Sequence, residues 1–348
     1  MSRVDLLVPE LAPRDATGSH TLLLRDLLLD MGASVRFVTQ IPAAVDEPFI
    51  LVDDWNDPAP TIILQHGIGS FVADAVIKRR LPIVVNYHNI TPIEFVEPWT
   101  PELIAGLQWG RYQLDHLGRF ATRGIAVSAY NAEEMKAAGY RDVRIAPVLW
   151  NVQPGPTIDH QPTELGDPPT ILFVGRVAAN KRHEDLLATF ALVVERHPTA
   201  RLVLVGSPAS ATYQRCLETY ARRAGIADQV DFAGSVTDEE LAHRYRTADV
   251  FLCLSDHEGF CVPVVEAMAA GVPVVAHRAA ALPETIGSAG LVLGDKRPAT
   301  VAAAIGRVLD DASLRHHMVA AGRRRAADFS LERGQERMRA ALAGVIDA

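Results

Sequence analysis

Two carboxylates, Glu258 and Glu266, stand eight residues apart in the stretch 256–275, "DHEGFCVPVVEAMAAGVPVV". Such a pair can act as general acid and base, join a metal site, or hold two parts of one elongated ligand. The residues between them bear on the choice. Gly259 lets the backbone approach a ligand closely. Pro263 suits the first turn of a helix, where its missing N–H is not needed. A helix is therefore expected to start near Val262, and the amides around Phe260, Cys261 and Val262 then form an anion site at its N-terminus. Glu258 falls before this helix and Glu266 about one turn inside it. The two are expected to reach different parts of one ligand, with its phosphates over the amides between them.

A second stretch, "FVGRVAANKRHEDLL", ends a strand at Gly175 and follows it with Arg176 and, five residues on, Lys181. Both cations sit on a strand-to-helix turn. Arg offers a planar fork and Lys a mobile point charge, which suits a diphosphate. The plain alternative is a solvated helix start. The stretch contains neither a Walker loop nor G-x-G-x-x-G, so neither an ATPase nor a dinucleotide domain is favoured. An acid–base pair at Glu258 and Glu266 would leave Arg176 and Lys181 without a task. "VDDW" holds Asp53 and Asp54 but no spaced Asp-x-Asp after a strand, and no metal ligands are assigned.

These residues need strands and helices to position them. Short Val- and Ile-rich runs recur in the first half: "VDLLVP", "SVRFVTQ", "FILVDDW", "TIILQHG", "PIVVNYHN", "GIAVSA" and "VRIAPVLW". They read as buried strands of a mostly parallel sheet. Helical patterns separate several of them, such as "SHTLLLRDLLLDMG", with Ser19 as N-cap and Gly32 as stop. A Pro- and Gly-rich segment, 151–169, reads as a linker. The alternation then restarts with "TILFVGR", "RLVLVGS", "QVDFAGS", "VFLCLS", "VPVVAH" and "GLVLG". The expected fold class is α/β, with two Rossmann-like doubly wound domains facing a cleft and ligands at the carboxyl ends of the strands.

Composition sets the outer bounds. The chain has 348 residues, 49% of them hydrophobic, which is enough for about two domains. Its net charge of −8 argues against nonspecific nucleic-acid binding. Three cysteines (Cys216, Cys253, Cys261) without C-x-x-C spacing fit a reduced cytoplasmic protein. The opening "MSRVDLLVPELAPRD" has too short an apolar run for a signal peptide, and a spanning run of roughly 20 apolar residues is missing. "IKRR" (77–80), with hydrophobic neighbours, suggests peripheral contact with the inner face of an anionic membrane. The basic run "AGRRRAADF" (321–329) reads as a solvated helix face.

The constellation resembles the retaining glycosyltransferases of family 4, which have the GT-B fold. Their hallmark is a Glu, seven residues and a second Glu, preceded by a strand and followed here by "EAMAAGVPVV", with Gly-Arg and Lys upstream. The resemblance covers residues 168–330. In the N-terminal half, "YHNITP" (87–92) and "AVSAYNAEEM" (126–135) resemble members that build bacterial surface polysaccharides. The resemblance implies an acceptor-side domain at 1–164, a nucleotide-sugar domain at 165–325, and a C-terminal helix at 326–348 packing back on the first.

It also implies roles. Arg176 and Lys181 bind the donor diphosphate, Glu258 meets donor-sugar hydroxyls, and Glu266 holds the ribose. The Gly259, Phe260, Cys261 and Val262 amides serve the sugar and phosphates, and Val236 grips the base through its backbone. Gly175 and Ser207 close donor-side strands. Gly18 falls where the family has a glycine-rich turn near the phosphates, though the usual paired glycines are replaced by Thr17-Gly18. His66 falls near the reacting centre, where it is expected to touch the donor sugar. His88, Asn89 and Trp99 lie on the acceptor side, with core packing as the plain reading of Trp99, Trp109 and Tyr112. Many members have Gly where this chain has Cys261, so sugar contacts there are in question.

The activity implied is metal- and cofactor-independent transfer of a sugar from a GDP- or UDP-linked donor to a glycan, lipid-linked or small-molecule acceptor. "NKRHEDLL" leans toward GDP-mannose-type members. The alternatives are an epimerase or phosphorylase on the same scaffold, or a non-catalytic sugar-nucleotide-binding subunit.

Overall fold

The computed structural model describes residues 2–12, 16–43, 47–151 and 168–346. The expected linker, save its ends, and the expected boundary at 164/165 lie outside the described residues. The chain divides into two compact units. One comprises Met1–Ile93, Glu102–Asn151 and Ser330–Ala348; the other comprises Glu94–Pro101 and Val152–Phe329.

The first unit runs β1 (Arg3–Leu7), α1 (Ala16–Asp30), β2 (Ser34–Thr39), β3 (Phe49–Leu51), β4 (Thr61–His66), α2 (Phe71–Arg79), β5 (Ile83–Tyr87), α3 (Ile104–Leu117), β6 (Ala121–Ala126), α4 (Ala129–Ala137) and β7 (Val143–Ile145). Its strands form a seven-stranded sheet in the order β3-β2-β1-β4-β5-β6-β7. Every pairing in it is parallel. The strand order reverses between β1 and β4, which is where open α/β sheets form their ligand crevice.

Two local expectations change here. Ser19 does not cap α1, which begins at Ala16 and takes in Ser19. Gly18 lies in the first helical turn rather than in a loop. A Cβ on Gly18 would stand 1.8 Å from the Ala12 carbonyl oxygen, so close backbone packing explains this glycine. Gly32, at φ +83°, ends the helix as read.

The second unit runs β8 (Thr170–Val174), α5 (His183–Arg196), β9 (Arg201–Val205), α6 (Ala211–Arg223), β10 (Val230–Gly234), α7 (Asp238–Arg246), β11 (Val250–Cys253), α8 (Val262–Ala270), β12 (Val274–His277), α9 (Leu282–Ile286), β13 (Leu291–Leu293), α10 (Pro298–Asp310) and α11 (Ala312–Ala327). Its six strands are also all parallel, in the order β10-β9-β8-β11-β12-β13, so its switch point lies between β8 and β11. Leu186, Leu187, Phe190 and Val193 of α5 repeat at helical spacing and are buried against this sheet. Each such side chain contributes about 1.5–3 kcal/mol by leaving water.

Segment 94–101 belongs with this second unit. Phe95 lies against His257, and the Trp99 ring packs on Tyr213 with centroids 5.0 Å apart. This corrects the acceptor-side placement of Trp99, because its apolar ring covers the core cluster of the second unit. Conversely, α12 (Leu331–Leu342) buries Met338, Ala341 and Leu342 in the core of the first unit. The basic run on α11 is not purely a solvated face. Arg325 donates to the carbonyls of Glu284 and Thr285 and lies 4.5 Å over the Phe329 ring. No helix among the described residues is long and apolar enough to cross a membrane.

Candidate functional site

In the second unit, the loops leaving β8 and β11 meet at the switch point. Three contacts tie them together. The Asp256 amide donates to the Asn180 carbonyl at 2.9 Å, the Asn180 side chain donates to the His257 carbonyl at 3.4 Å, and Lys181 Nζ lies 2.6 Å from Glu258 Oε1. Lys181 ends a short 3₁₀ turn, Ala179–Lys181, just ahead of α5. Glu258 is only 7% exposed. Burial pulls the Lys181 ammonium pKa down, but the Glu258 carboxylate more than offsets this and leaves it above the usual lysine value. Arg176, by contrast, is exposed and has no ion-pair partner among the described residues. One cation is thus built into the site and the other is left free.

The close approach of β8 and β9 shapes this floor. A Cβ on Gly206 would stand 2.1 Å from the Gly175 carbonyl oxygen, so only glycine allows the strand ends to meet. Ser207 follows, exposed, and its carbonyl accepts from the Val177 amide. Val236 is half-buried beside Thr237, whose capping box with Glu240 fixes the start of α7.

Helix α8 starts at Val262 with Pro263 in its first turn, as read from the sequence. Cys261 is its N-cap, in the left-handed conformation at φ +72°, so glycine is the residue best suited to this position. The Phe260 ring is buried edge-on against Phe329, and the Phe260 carbonyl accepts from the Thr285 hydroxyl at 2.7 Å. One turn into α8, Glu266 accepts a 2.6 Å hydrogen bond at Oε2 from the Tyr245 hydroxyl. Burial raises the Glu266 pKa, and Tyr245 partly counters that rise. Behind the loop, Cys253 Sγ, Cys261 Sγ and a Glu258 oxygen lie within 4.8 Å of one another. Lys181 already supplies positive charge to that Glu258 carboxylate.

In the first unit the histidines divide. His66, the last residue of β4, is wholly buried, and its Nε2 bonds the Gly110 carbonyl at 2.9 Å. Burial holds its pKa down to about 4. This corrects the expectation that His66 touches a sugar, because its ring is packed under α3. His88 follows β5, half-buried, and its amide donates to the His66 carbonyl at 2.8 Å. Asn89, at φ +77°, accepts from the Asn131 side chain at 3.2 Å.

The pattern reading missed Asn180, Tyr245, His20, Gln65 and Asn86. Tyr245 had a signal, an aromatic ring on the polar helix α7. His20, Gln65 and Asn86 are polar residues inside apolar patterns, and Asn180 sits among the charged residues of its turn; none of them gave a spacing to follow.

The sequence model described as "Glycosyl transferases group 1" matches residues 156–325. That segment is a group 1 glycosyl transferase domain. The domain has named relatives. Over 168 residues the chain is 34% identical to a "GDP-mannose-dependent alpha-(1-6)-phosphatidylinositol monomannoside mannosyltransferase" of Mycobacterium tuberculosis, covering 46% of this chain and 43% of that protein. Over 172 residues it is 36% identical to a "D-inositol 3-phosphate glycosyltransferase" of Corynebacterium diphtheriae, covering 48% and 40%. The chain thus spans less than half the length of these curated relatives. Among solved structures, sucrose-phosphate synthase from Thermosynechococcus elongatus superposes with a TM-score of 0.77 at 21% identity, covering 97% of both chains. HepE of Anabaena, solved with UDP and glucose, also gives 0.77, at 18% identity over 99% of this chain and 100% of that one. With its two parallel-sheet units, the glycosyl transferase domain and its N-terminal partner have the expected GT-B fold.

Proposed function

We propose that this chain is a retaining, metal-independent glycosyltransferase that moves a sugar from a GDP- or UDP-linked donor to a glycan, lipid-linked or small-molecule acceptor. The observation that carries this reading is the Lys181–Glu258 contact of 2.6 Å at a sheet switch point, with an exposed Arg176 on the loop that leaves β8 and the start of α8 following Glu258. Breaking a glycosidic C–O bond puts negative charge on the leaving diphosphate. Arg176, Lys181 and the α8 N-terminus supply preorganised positive charge for it, the task a divalent metal performs elsewhere. Glu258, held by Lys181, presents its carboxylate to sugar hydroxyls. At Glu266, Tyr245 takes Oε2 and leaves Oε1 for the ribose. In same-face attack the leaving phosphate takes the acceptor's proton, so no protein base is required.

The names of the mannosyltransferase and inositol phosphate glycosyltransferase relatives, and the UDP and glucose bound in HepE, support a nucleotide-sugar donor. For a lipid-linked acceptor, peripheral membrane contact falls to α2. Phe71 at its start is exposed and stacks edge-on against Trp109, and Lys78, Arg79 and Arg80 are exposed at its end. The test is a panel of UDP- and GDP-sugars offered with and without excess chelator, with the anomeric configuration of any product read by NMR. Transfer that persists in chelator with retained configuration is expected. Dependence on added metal, inversion, or the absence of product with every donor would overturn the corresponding part of the reading.

A further inference from the structure

His20 of α1, Gln65 of β4 and Asn86 of β5 are almost wholly buried, and the donor site uses none of them. With His88 they form a chain of close polar contacts. The Leu149 amide donates to His20 Nδ1 at 2.8 Å. His20 Nε2 lies 2.7 Å from the Asn86 side-chain amide, which lies 3.0 Å from the Gln65 amide, which in turn lies 2.6 Å from His88 Nε2. The His20 and His88 rings meet edge to face at 4.9 Å. Asn86 and Gln65 each keep one buried terminal atom without a partner.

The hydrogens in this chain can be counted. A backbone N–H only donates, so His20 Nδ1 accepts. A neutral imidazole has one N–H, which in His20 must then be on Nε2. Burial, with His88 beside it, keeps His20 neutral. The Asn86 atom facing that N–H must be the carbonyl oxygen. The same oxygen faces Gln65, so Gln65 turns its NH₂ toward it, and the second hydrogen of that NH₂ meets His88 Nε2. His88 Nε2 therefore accepts, and its own hydrogen sits on Nδ1. Turning both amides the other way gives His20 two donors and leaves no place for its proton. Burial and His66 hold the His88 pKa at about 4, so the ring is neutral near pH 7. Among the described residues Nδ1 of His88 has no hydrogen-bond partner.

We infer that His20, Asn86 and Gln65 are positioning residues that hold His88 as the neutral Nδ1–H tautomer, a hydrogen-bond donor to an oxygen of the substrate. The tautomer follows from the contacts alone, while the substrate oxygen rests on the function proposed above. A ring set this way cannot accept a proton at Nδ1, so His88 acts as a donor there and not as a base.

Long-range ¹H–¹⁵N correlation spectra of the whole chain with ¹⁵N-labelled histidine rings test the tautomer without any substrate. At neutral pH, His88 should show a protonated Nδ1 and a bare Nε2. A proton on Nε2 in the unaltered protein overturns the inference whatever the variants do. In Gln65→Glu the carboxylate can only accept, so the His88 proton should appear on Nε2; an unchanged spectrum in that folded variant also overturns it. Transfer assays read the second half. Gln65→Glu should lower kcat roughly tenfold or more, the loss of one well-placed hydrogen bond, with nucleotide affinity unchanged. An unchanged kcat beside the altered spectrum would overturn the substrate role. If the unaltered protein shows the expected spectrum but transfers no sugar, the proposed function and the substrate role fail together, and the tautomer assignment stands.

Discussion

Lys181 Nζ and Glu258 Oε1 lie 2.6 Å apart, with side-chain exposures of 21% and 9%. Contacts of this kind contribute to stability chiefly by being complete, since removing one member strands the other in poor solvent. Lys181→Ala or Glu258→Ala should therefore each destabilise the fold by about 3 kcal/mol. Lys181→Ala combined with Glu258→Ala should cost less than the sum of the singles. Chemical denaturation of the four proteins in a double-mutant cycle measures this, and strict additivity would argue against a coupled pair.

Arg176 gives the opposite profile. Exposed and unpaired among the described residues, it should tolerate Arg176→Ala with a stability change within about 0.5 kcal/mol. Turnover should nonetheless fall on the order of 10²–10³-fold if it stabilises charge in the transition state. Denaturation and kcat measured on one preparation separate the two effects, and near-normal turnover would remove Arg176 from the chemistry.

Nucleotide affinity should depend on pH through Glu266. Its pKa is raised by burial, so the ionised form, which under the proposed function accepts ribose hydroxyls, is lost at a higher pH than for an ordinary carboxylate. Tyr245→Phe removes a bond that holds this pKa down, and should move the loss of affinity higher still. Calorimetric titration of UDP and GDP from pH 7 downward gives the curve. The matching stability term has its own sign. The folded state binds the extra proton, so Glu266 contributes stability below its ordinary pKa and loses it as pH rises through the raised value.

The buried histidines carry the reverse sign. His66 and His88 are held to about 4 in the folded chain against an ordinary 6.5, both by burial first. The unfolded chain takes up protons in that window, so stability present above pH 6.5 should fall progressively toward pH 4. Denaturation midpoints at pH 7, 6 and 5 should show it. His66→Asn should flatten the slope even if it lowers the midpoint at pH 7.

At Cys261 the left-handed backbone favours glycine. Cys261→Gly should be neutral to about 1 kcal/mol stabilising, since a side chain in this conformation costs on the order of 1–2 kcal/mol and glycine returns part of it in chain entropy. It also removes the thiol beside Cys253 and Glu258. A thermal melt reads the first effect, and relative rates across a donor panel read any change in sugar preference.

Much of this was legible in the sequence. The Val- and Ile-rich runs became strands of two wholly parallel sheets because a strand buried on both faces must be apolar throughout. Pro263 and Gly271 bounded α8 through their own dihedral preferences. Glu258, Arg176 and Lys181 stood out as candidates because they are charged residues in the loops that follow apolar strands. These are local constraints, and a linear pattern records them.

Tertiary structure decided what depends on contacts between distant segments. It separated Lys181, locked to a carboxylate 77 positions away, from a free Arg176. It buried His66 against a carbonyl 44 positions on, and tied His20 to an amide 129 positions away. It also moved Trp99 to the second unit. Composition and period say that a residue is polar or apolar and on which face it falls. Whether a charge is paired, and where a ring keeps its proton, depends on partners that only the folded chain brings within hydrogen-bond distance.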